Sequence, residues 1–387
     1  MTRPLAITVI TETYPPEVNG VALTLDRYVD GLRVLGHDVG VVRPRQPTDG
    51  DVGRDLLVRG LPLPRYPGLR FGLPAGRTLR ALWSRAPPDL VHVVTEGPLG
   101  WSAVRAARAL GLPVTSDLRT HFDAYARHYG CGALAPVVDA YLRAFHARTR
   151  VTFVPTEALR VRLAARGYGA TAVVPRGVDT TLFHPARRST ALRARWGAGP
   201  QTLVAAYVGR LAPEKNPELL LAAYCAMRQR GDVRLVVVGD GPLRDDPRWE
   251  DAGIVRAGAR RGDDLAAHYA SADVFLFPSL TETFGNVVLE AMASGLAVVA
   301  FDEAAAHDCI ESGVNGFLVS ACEPAHFIER TAALVTFRHT LSPIRDAARA
   351  SMRWRGWPDA VRQLDHAFRL AIREAAPLAA SLGPSAR

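Results

Sequence analysis

Two carboxylates eight residues apart, Glu282 and Glu290, stand in the run PSLTETFGNVVLEAMASG at positions 278–295. The stretch from Pro278 to Asn286 is rich in turn formers, and Val287 to Ala293 is apolar everywhere except at Glu290. Gly295 follows where a helix end needs a positive φ. A helix that is apolar all round is buried, so Glu290 sits where a carboxylate is costly unless something donates a hydrogen bond to it. Between the two acids Gly285 lets backbone approach a ligand, and a helix start there offers N–H groups to an anion. Two carboxylates for hydroxyls and an amide nest for phosphate suit a sugar nucleotide. A buried helix whose Glu290 caps a neighbouring loop would explain that residue taken alone.

Positive charge for a phosphate is available upstream. Arg210 and Lys215 bracket the loop in GRLAPEKNPELLL, directly after the β-rich run Thr202–Val208. Lys215 is the only lysine among 47 basic residues. A compact, mobile ammonium suits a point contact to phosphate, although one lysine can also be a plain surface residue. In the first half, the run Val114–Ser116 delivers Asp117, Arg119 and His121 to one mouth. A lone histidine there is as readily structural as catalytic.

Positioning such groups takes strands that end beneath them. Leu5–Thr11, HDVGVVRP, Asp89–Val94, Val114–Ser116, VTFVPT and TAVVP are continuous apolar runs separated by helical patterns. Leu5–Thr11 and Asp89–Val94 bear the mark of strands covered on both faces in a parallel sheet, and the pattern places ligands at the carboxyl ends of the strands. The second half repeats the pattern with Thr202–Val208, RLVVVGDGP, GIVRAGA, VFLFPS, AVVAF and GFLVS. Strand and helix alternating twice over predict two αβα domains, with boundaries at 1–183 and 184–350. Helices over about 351–375 have no sheet of their own and are expected to brace the fold, crossing back to the first domain. Residues 43–88, rich in Pro and Gly, take no assignment.

Composition narrows the classes. With 387 residues, 48% hydrophobic and 22% charged, the chain is long enough for two or three soluble domains. No apolar run approaches the roughly 18 residues of a spanning helix. The opening MTRPLAITVITETYPP reads as a first strand rather than a signal peptide. Cys131, Cys225, Cys309 and Cys322 have neither metal-ligand nor CxxC spacing, which fits a reducing cytoplasm. There is no GxGxxG after the first strand, which argues against a dinucleotide dehydrogenase. The +9 net charge is uneven: residues 1–183 hold 23 arginines against 15 acidic residues, while the remainder is nearly balanced. Seven arginines between Arg54 and Arg85 alternate with Leu and Trp, a pattern able to dock on an anionic membrane or to form a solvated irregular face. No nucleic-acid motif or aromatic platform accompanies the charge, and nucleic acid is excluded as a partner.

Taken together, TETFGNVVLEAMASG, YVGRLAPEKN (207–216), VVVGDGP (236–242), PRGVDTTLF (175–183) and PPEVNG (15–20) resemble retaining glycosyltransferases of the GT-B fold, family GT4, over nearly the whole chain. The resemblance implies two facing Rossmann-like αβα domains with the nucleotide sugar between them. It implies that Glu290 binds the ribose hydroxyls and Glu282 the transferred sugar. Phe284, Gly285, Asn286 and Val287 would contact sugar hydroxyls and phosphate through their amides. Gly209, Arg210 and Lys215 would clamp the diphosphate, and Asn19 and Gly20 would approach it from the first domain. Relatives carry a catalytic His soon after the strand that here ends at Asp117. Arg119 occupies that position, so either His121 has taken over the role or Arg119 fills it electrostatically.

Negative charge developing on the leaving diphosphate calls for preorganised cations and a helix N-terminus. No Asp-x-Asp motif stands at the nucleotide site, so neither a metal nor another cofactor is expected. By the same resemblance, the donor is a UDP- or GDP-sugar and the acceptor a membrane glycolipid or lipid-linked glycan, used at the cytoplasmic membrane face. Two alternatives are a soluble enzyme acting on polysaccharide or a small metabolite, and a nucleotide-sugar-binding protein without catalysis.

Overall fold

The computed structural model describes residues 3–373 apart from 18, 48, 51–52, 63–69, 120–134 and 252. The chain divides into two units. One comprises the residues up to Arg176 together with those from Trp357 onward; the other is Gly177–Gly356. The divisions therefore fall at 176 and 356, where the sequence had suggested 183 and 350.

The first unit is built on a seven-stranded parallel sheet in the order β3-β2-β1-β6-β7-β8-β9. These strands are β1 (Ala6–Ile10), β2 (Asp38–Pro44), β3 (Leu56–Val58), β6 (Leu90–Val93), β7 (Val114–Asp117), β8 (Val151–Val154) and β9 (Thr171–Val173). A separate antiparallel pair, β4 (Gly60–Pro62) and β5 (Arg70–Gly72), lies in the stretch left unassigned above, with a helix at Gly76–Arg85. The first helix, Gly20–Val34, buries Leu25, Tyr28, Val29 and Leu32 along one stripe. Asn19 starts that helix by accepting from the amides of Val21 (3.1 Å) and Ala22 (2.9 Å), as an N-cap does.

The last helix, Trp357–Arg373, completes this same unit. Its buried stripe of Ala360, Val361, Leu364, Ala367, Phe368 and Ala371 has helical periodicity. Val361 packs where Gly31 has no side chain; a Cβ on Gly31 would lie 2.4 Å from a Val361 methyl. Phe368 sits edge-on to His92 at 5.0 Å and 5.8 Å from Phe153. His37 Nε2 pairs with Asp365 at 3.1 Å. The expectation of a bracing helix returning to the first domain is met.

The second unit holds a six-stranded parallel sheet, β12-β11-β10-β13-β14-β15. Its strands are β10 (Leu203–Val208), β11 (Val233–Val238), β12 (Ile254–Gly258), β13 (Val274–Phe277), β14 (Ala297–Phe301) and β15 (Phe317–Val319). All six residues of β10 are buried, which is why it reads as an unbroken apolar run. Each sheet reverses its strand order beside its first strand, between β1 and β6 and between β10 and β13. In doubly wound sheets ligands bind outside the carboxyl ends at such a point.

Candidate functional site

The loops that follow β10 and β13 meet at the switch point of the second unit. After β10 the chain turns at Gly209 (φ +156). Gly239, at the end of β11, packs so tightly here that a Cβ would stand 1.9 Å from the Gly209 carbonyl oxygen. Only glycine fits. Tyr207 Oη donates to the Arg210 carbonyl at 2.9 Å, and Leu280 N donates to the Glu214 carbonyl at 3.0 Å, tying one loop to the other. Lys215 closes a single 3₁₀ turn, Pro213–Lys215, before the helix Pro217–Arg228.

From that turn Lys215 Nζ reaches Ser279 Oγ at 3.2 Å, the Thr281 carbonyl at 3.5 Å and the Glu282 carboxylate. Ser279 Oγ also donates to Glu282 Oε1 at 2.9 Å. Lys215 and Glu282 each keep 18% of their side-chain surface exposed, so the pair is accessible yet largely desolvated. Its attraction is stronger than that of a surface pair. Arg210, 43% exposed, stands beside Glu214 with Nη1 3.8 Å from Oε1. The structure thus brings Arg210, Lys215 and Glu282 together around one loop pair. A small cavity lined by Phe277, Ser279, Glu282, Phe284 and Glu303 opens beside them.

The helix expected after this loop runs from Asn286 to Ala293. Gly285, at φ +91, is its N-cap and has no side chain with which to cap, so the first turn faces the loop without one. Val288, Leu289, Ala291, Met292 and Ala293 are all buried. Glu290 is held among them by Tyr269, whose Oη donates to Oε2 at 2.9 Å. Burial pushes the Glu290 carboxyl up to about 7, against the downward pull of that hydrogen bond. Among the described residues Oε1 takes no hydrogen bond. Tyr269 is itself fully buried, edge-on to Phe183 at 5.6 Å and 5.8 Å from Phe275. Its hydroxyl is pushed well above the ordinary phenol value by burial and by Glu290.

The residues singled out in the first half belong to the other unit. Asn19 uses its carbonyl oxygen on the helix cap and its Nδ2 on Thr13 Oγ1 at 2.6 Å. Gly20 opens the helix itself, with Arg176 Nη1 3.8 Å from where a Cβ would be. Arg119, 6% exposed, turns inward: its Nε donates to Asp117 Oδ2 at 2.5 Å and its guanidinium lies over the Tyr28 ring at 5.1 Å. His92 Nε2 approaches the same Asp117 oxygen at 3.4 Å. Despite burial, Arg119 and His92 hold the Asp117 carboxyl well below the usual range. His121 lies outside the described residues.

Two participants escaped the sequence reading. Ser279 sits inside the motif, three residues before Glu282, and a hydroxyl at that spacing was a usable signal. Tyr269 lies 21 residues before Glu290 with a strand between them, and no local pattern connects the two.

Comparison with known proteins agrees with this construction. A family model described as glycosyltransferase family 4 matches residues 18–182, and one described as glycosyl transferases group 1 matches residues 202–336. A GDP-mannose-dependent alpha-mannosyltransferase of Mycobacterium tuberculosis is 35% identical, covering 91% of this chain and 93% of its own. A sulfoquinovosyl transferase of Arabidopsis thaliana is 30% identical over 94% of this chain and 73% of its own. Among solved structures, the Anabaena protein Alr3699/HepE in complex with UDP superposes with a TM-score of 0.74, covering 95% of this chain and all of that one. At 19% identity that likeness speaks for the GT-B fold alone. With its fold, its loop pair and relatives at this identity and coverage, the chain belongs to the family 4 glycosyltransferases.

Proposed function

We propose that the protein is a retaining α-hexosyltransferase that uses a GDP- or UDP-sugar, GDP-mannose foremost, and delivers the sugar to a hydroxyl of a membrane glycolipid or lipid-linked glycan. The observation that carries the reading is the convergence of Arg210, Lys215, Ser279 and Glu282 at the switch point, with Glu290 a short helix away. GDP-mannose comes first because the M. tuberculosis relative is named for it. A lipid acceptor is favoured because a further relative, 27% identical, is named an alpha-monoglucosyldiacylglycerol synthase.

In this reading the diphosphate displaces the carboxylate from Lys215, and Lys215 and Arg210 then neutralise the charge that grows as the glycosidic bond breaks. Glu282, released from the ammonium, accepts from hydroxyls of the sugar. Glu290 accepts from the ribose. The acceptor hydroxyl attacks on the face the phosphate leaves, the departing phosphate oxygen takes its proton, and the anomeric configuration is retained. No carboxylate pair of glycosidase type takes part. Because two cations already serve the diphosphate, transfer is expected to proceed in EDTA.

The acceptor half rests on the first unit. Arg77, Arg80 and Arg105 flank Trp101 and Ser102 in an open groove between the helices Gly76–Arg85 and Pro98–Ala109. Arginines beside an aromatic ring suit an anionic lipid surface. No described helix is long and apolar enough to cross a membrane; we take the association to be peripheral, at the cytoplasmic face.

A thermal-shift screen of GDP, UDP and ADP with their sugars tests the donor, since a ligand of the native state raises the melting point. GDP-mannose should give the largest rise; no rise with any of them refutes the reading. Vesicles with and without anionic lipid, at low and high salt, test the surface. Binding indifferent to lipid charge would remove the membrane and leave a soluble acceptor.

A further inference from the structure

We propose that Tyr269 is a positioning residue for the nucleotide's ribose, fixing Glu290 so that its second carboxylate oxygen meets the ribose hydroxyls. The inference rests on the reading of Glu290 as the ribose contact. Three observations lead to it. The Tyr269 hydroxyl has no solvent to turn to, since the residue is fully buried, and Glu290 is the acceptor it uses. A buried phenol with one available acceptor holds that acceptor in place, because breaking the bond strands both groups. The ring cannot swing away, being set between Phe183 and Phe275. Finally, Tyr269 comes from the helix Gly262–Ser271, which precedes β13, whereas Glu290 belongs to the helix that follows the motif loop. The contact therefore joins two elements across the strand that carries the loop.

A glutamate left to itself has several rotamers to lose on binding a ligand. Tyr269 removes that loss in advance, which is preorganisation of one acceptor. The phenol donates to Glu290 in either protonation state, but more strongly to the carboxylate. The titratable neighbours are few. Among the described residues Tyr269 is the one group acting on Glu290 besides burial; beyond it stands Tyr207, whose own charged neighbours are Glu282 and Glu214.

The test is calorimetric titration of the full chain with GDP and with UDP, each beside its 2′,3′-dideoxy analogue. The proteins are wild type, Tyr269→Phe, Glu290→Ala and the double variant. Wild type should prefer the ribonucleotide by about tenfold or more, and Tyr269→Phe should erode that preference several-fold while leaving dideoxynucleotide affinity in place. In the Glu290→Ala background the Tyr269→Phe change should add nothing. The pH midpoint of ribonucleotide affinity, which follows ionisation of Glu290, should rise by about one unit in Tyr269→Phe as a donor to the carboxylate is lost. Undiminished ribose preference in Tyr269→Phe, equal weakening of both nucleotides, or effects that add to Glu290→Ala would each overturn the positioning role. If wild type binds ribo- and dideoxynucleotides alike, binds neither, or keeps its preference in Glu290→Ala, it is the ribose assignment of Glu290 that falls.

Discussion

Replacing Glu290 by Gln should stabilise the unliganded protein above neutral pH while weakening nucleotide binding. Gln has nearly the volume of Glu and keeps an oxygen to accept from Tyr269, so packing is preserved. What changes is charge. The Glu290 carboxyl is raised from an ordinary 4.5 to about 7 in the native state. The native state therefore holds a proton that the unfolded chain has already released between those values, and stability falls as pH rises through that window. Above about 7 both states are ionised and the loss is complete. A difference of about 2.5 pH units at about 1.36 kcal/mol each, trimmed for solvent reaching the partly buried side chain, gives about 2–3 kcal/mol. Gln carries no such penalty. For a unit the size of Gly177–Gly356, this is a Tm increase of roughly 4–12 °C at pH 8. At pH 5, where most of the penalty has not yet developed, the increase should shrink to a degree or two. Scanning calorimetry of both proteins at pH 5 and pH 8, without nucleotide, measures it. No gain at pH 8, or the same gain at both pH values, would refute the idea that a strained carboxylate is kept for binding.

Lys215→Ala should slow sugar transfer by an amount equivalent to about 2–4 kcal/mol with a smaller change in donor affinity, read from kcat and KM separately. Gly239→Ala must push a methyl against the Gly209 carbonyl at positive φ; a loss of more than about 2 kcal/mol in denaturant unfolding, with loss of nucleotide-induced stabilisation, is expected. Phe368→Ala leaves a hole between His92 and Phe153 and should cost about 3–5 kcal/mol. The same change at the half-exposed Phe337 should stay within about 0.5 kcal/mol.

What could be read from the sequence was what a buried parallel sheet forces on it. Strands such as β10 and β13 are buried on both faces and so are apolar at every position, and the helix Trp357–Arg373 stood out because no strand follows it. Glu290 was visible because a carboxylate in an apolar helix is costly, and Lys215 because the chain otherwise uses arginine. The stretch 43–88 was not readable, since its strands are three residues long and a three-residue strand has no period to detect. Arg119 shows a different limit: its position at a strand's carboxyl end was correct, but the inward turn of its guanidinium depends on Asp117, His92 and Tyr28. Three separate elements supply those partners. Asn19 was picked out as a donor contact, and its side chain is engaged in starting a helix. Tyr269 was missed because contact across a strand leaves no spacing rule behind.

The helix Trp357–Arg373 has a consequence for how the protein is made. The first unit is discontinuous in sequence: its sheet is synthesised early, and the helix that covers Tyr28, His92 and Phe153 is translated only after the whole of Gly177–Gly356. Gly177–Gly356 is contiguous and can close its core while the earlier residues still wait for their final helix. Domains commonly fold in order of synthesis, N-terminal first, and here that order is inverted for completion. A nascent chain that ends at residue 356 and is carried clear of the ribosomal exit tunnel by an added tail should hold a finished second unit and a first unit with an uncovered apolar face, a species that chaperones would bind. Protease protection along a series of stalled chains would register the step at which Phe368 leaves the ribosome.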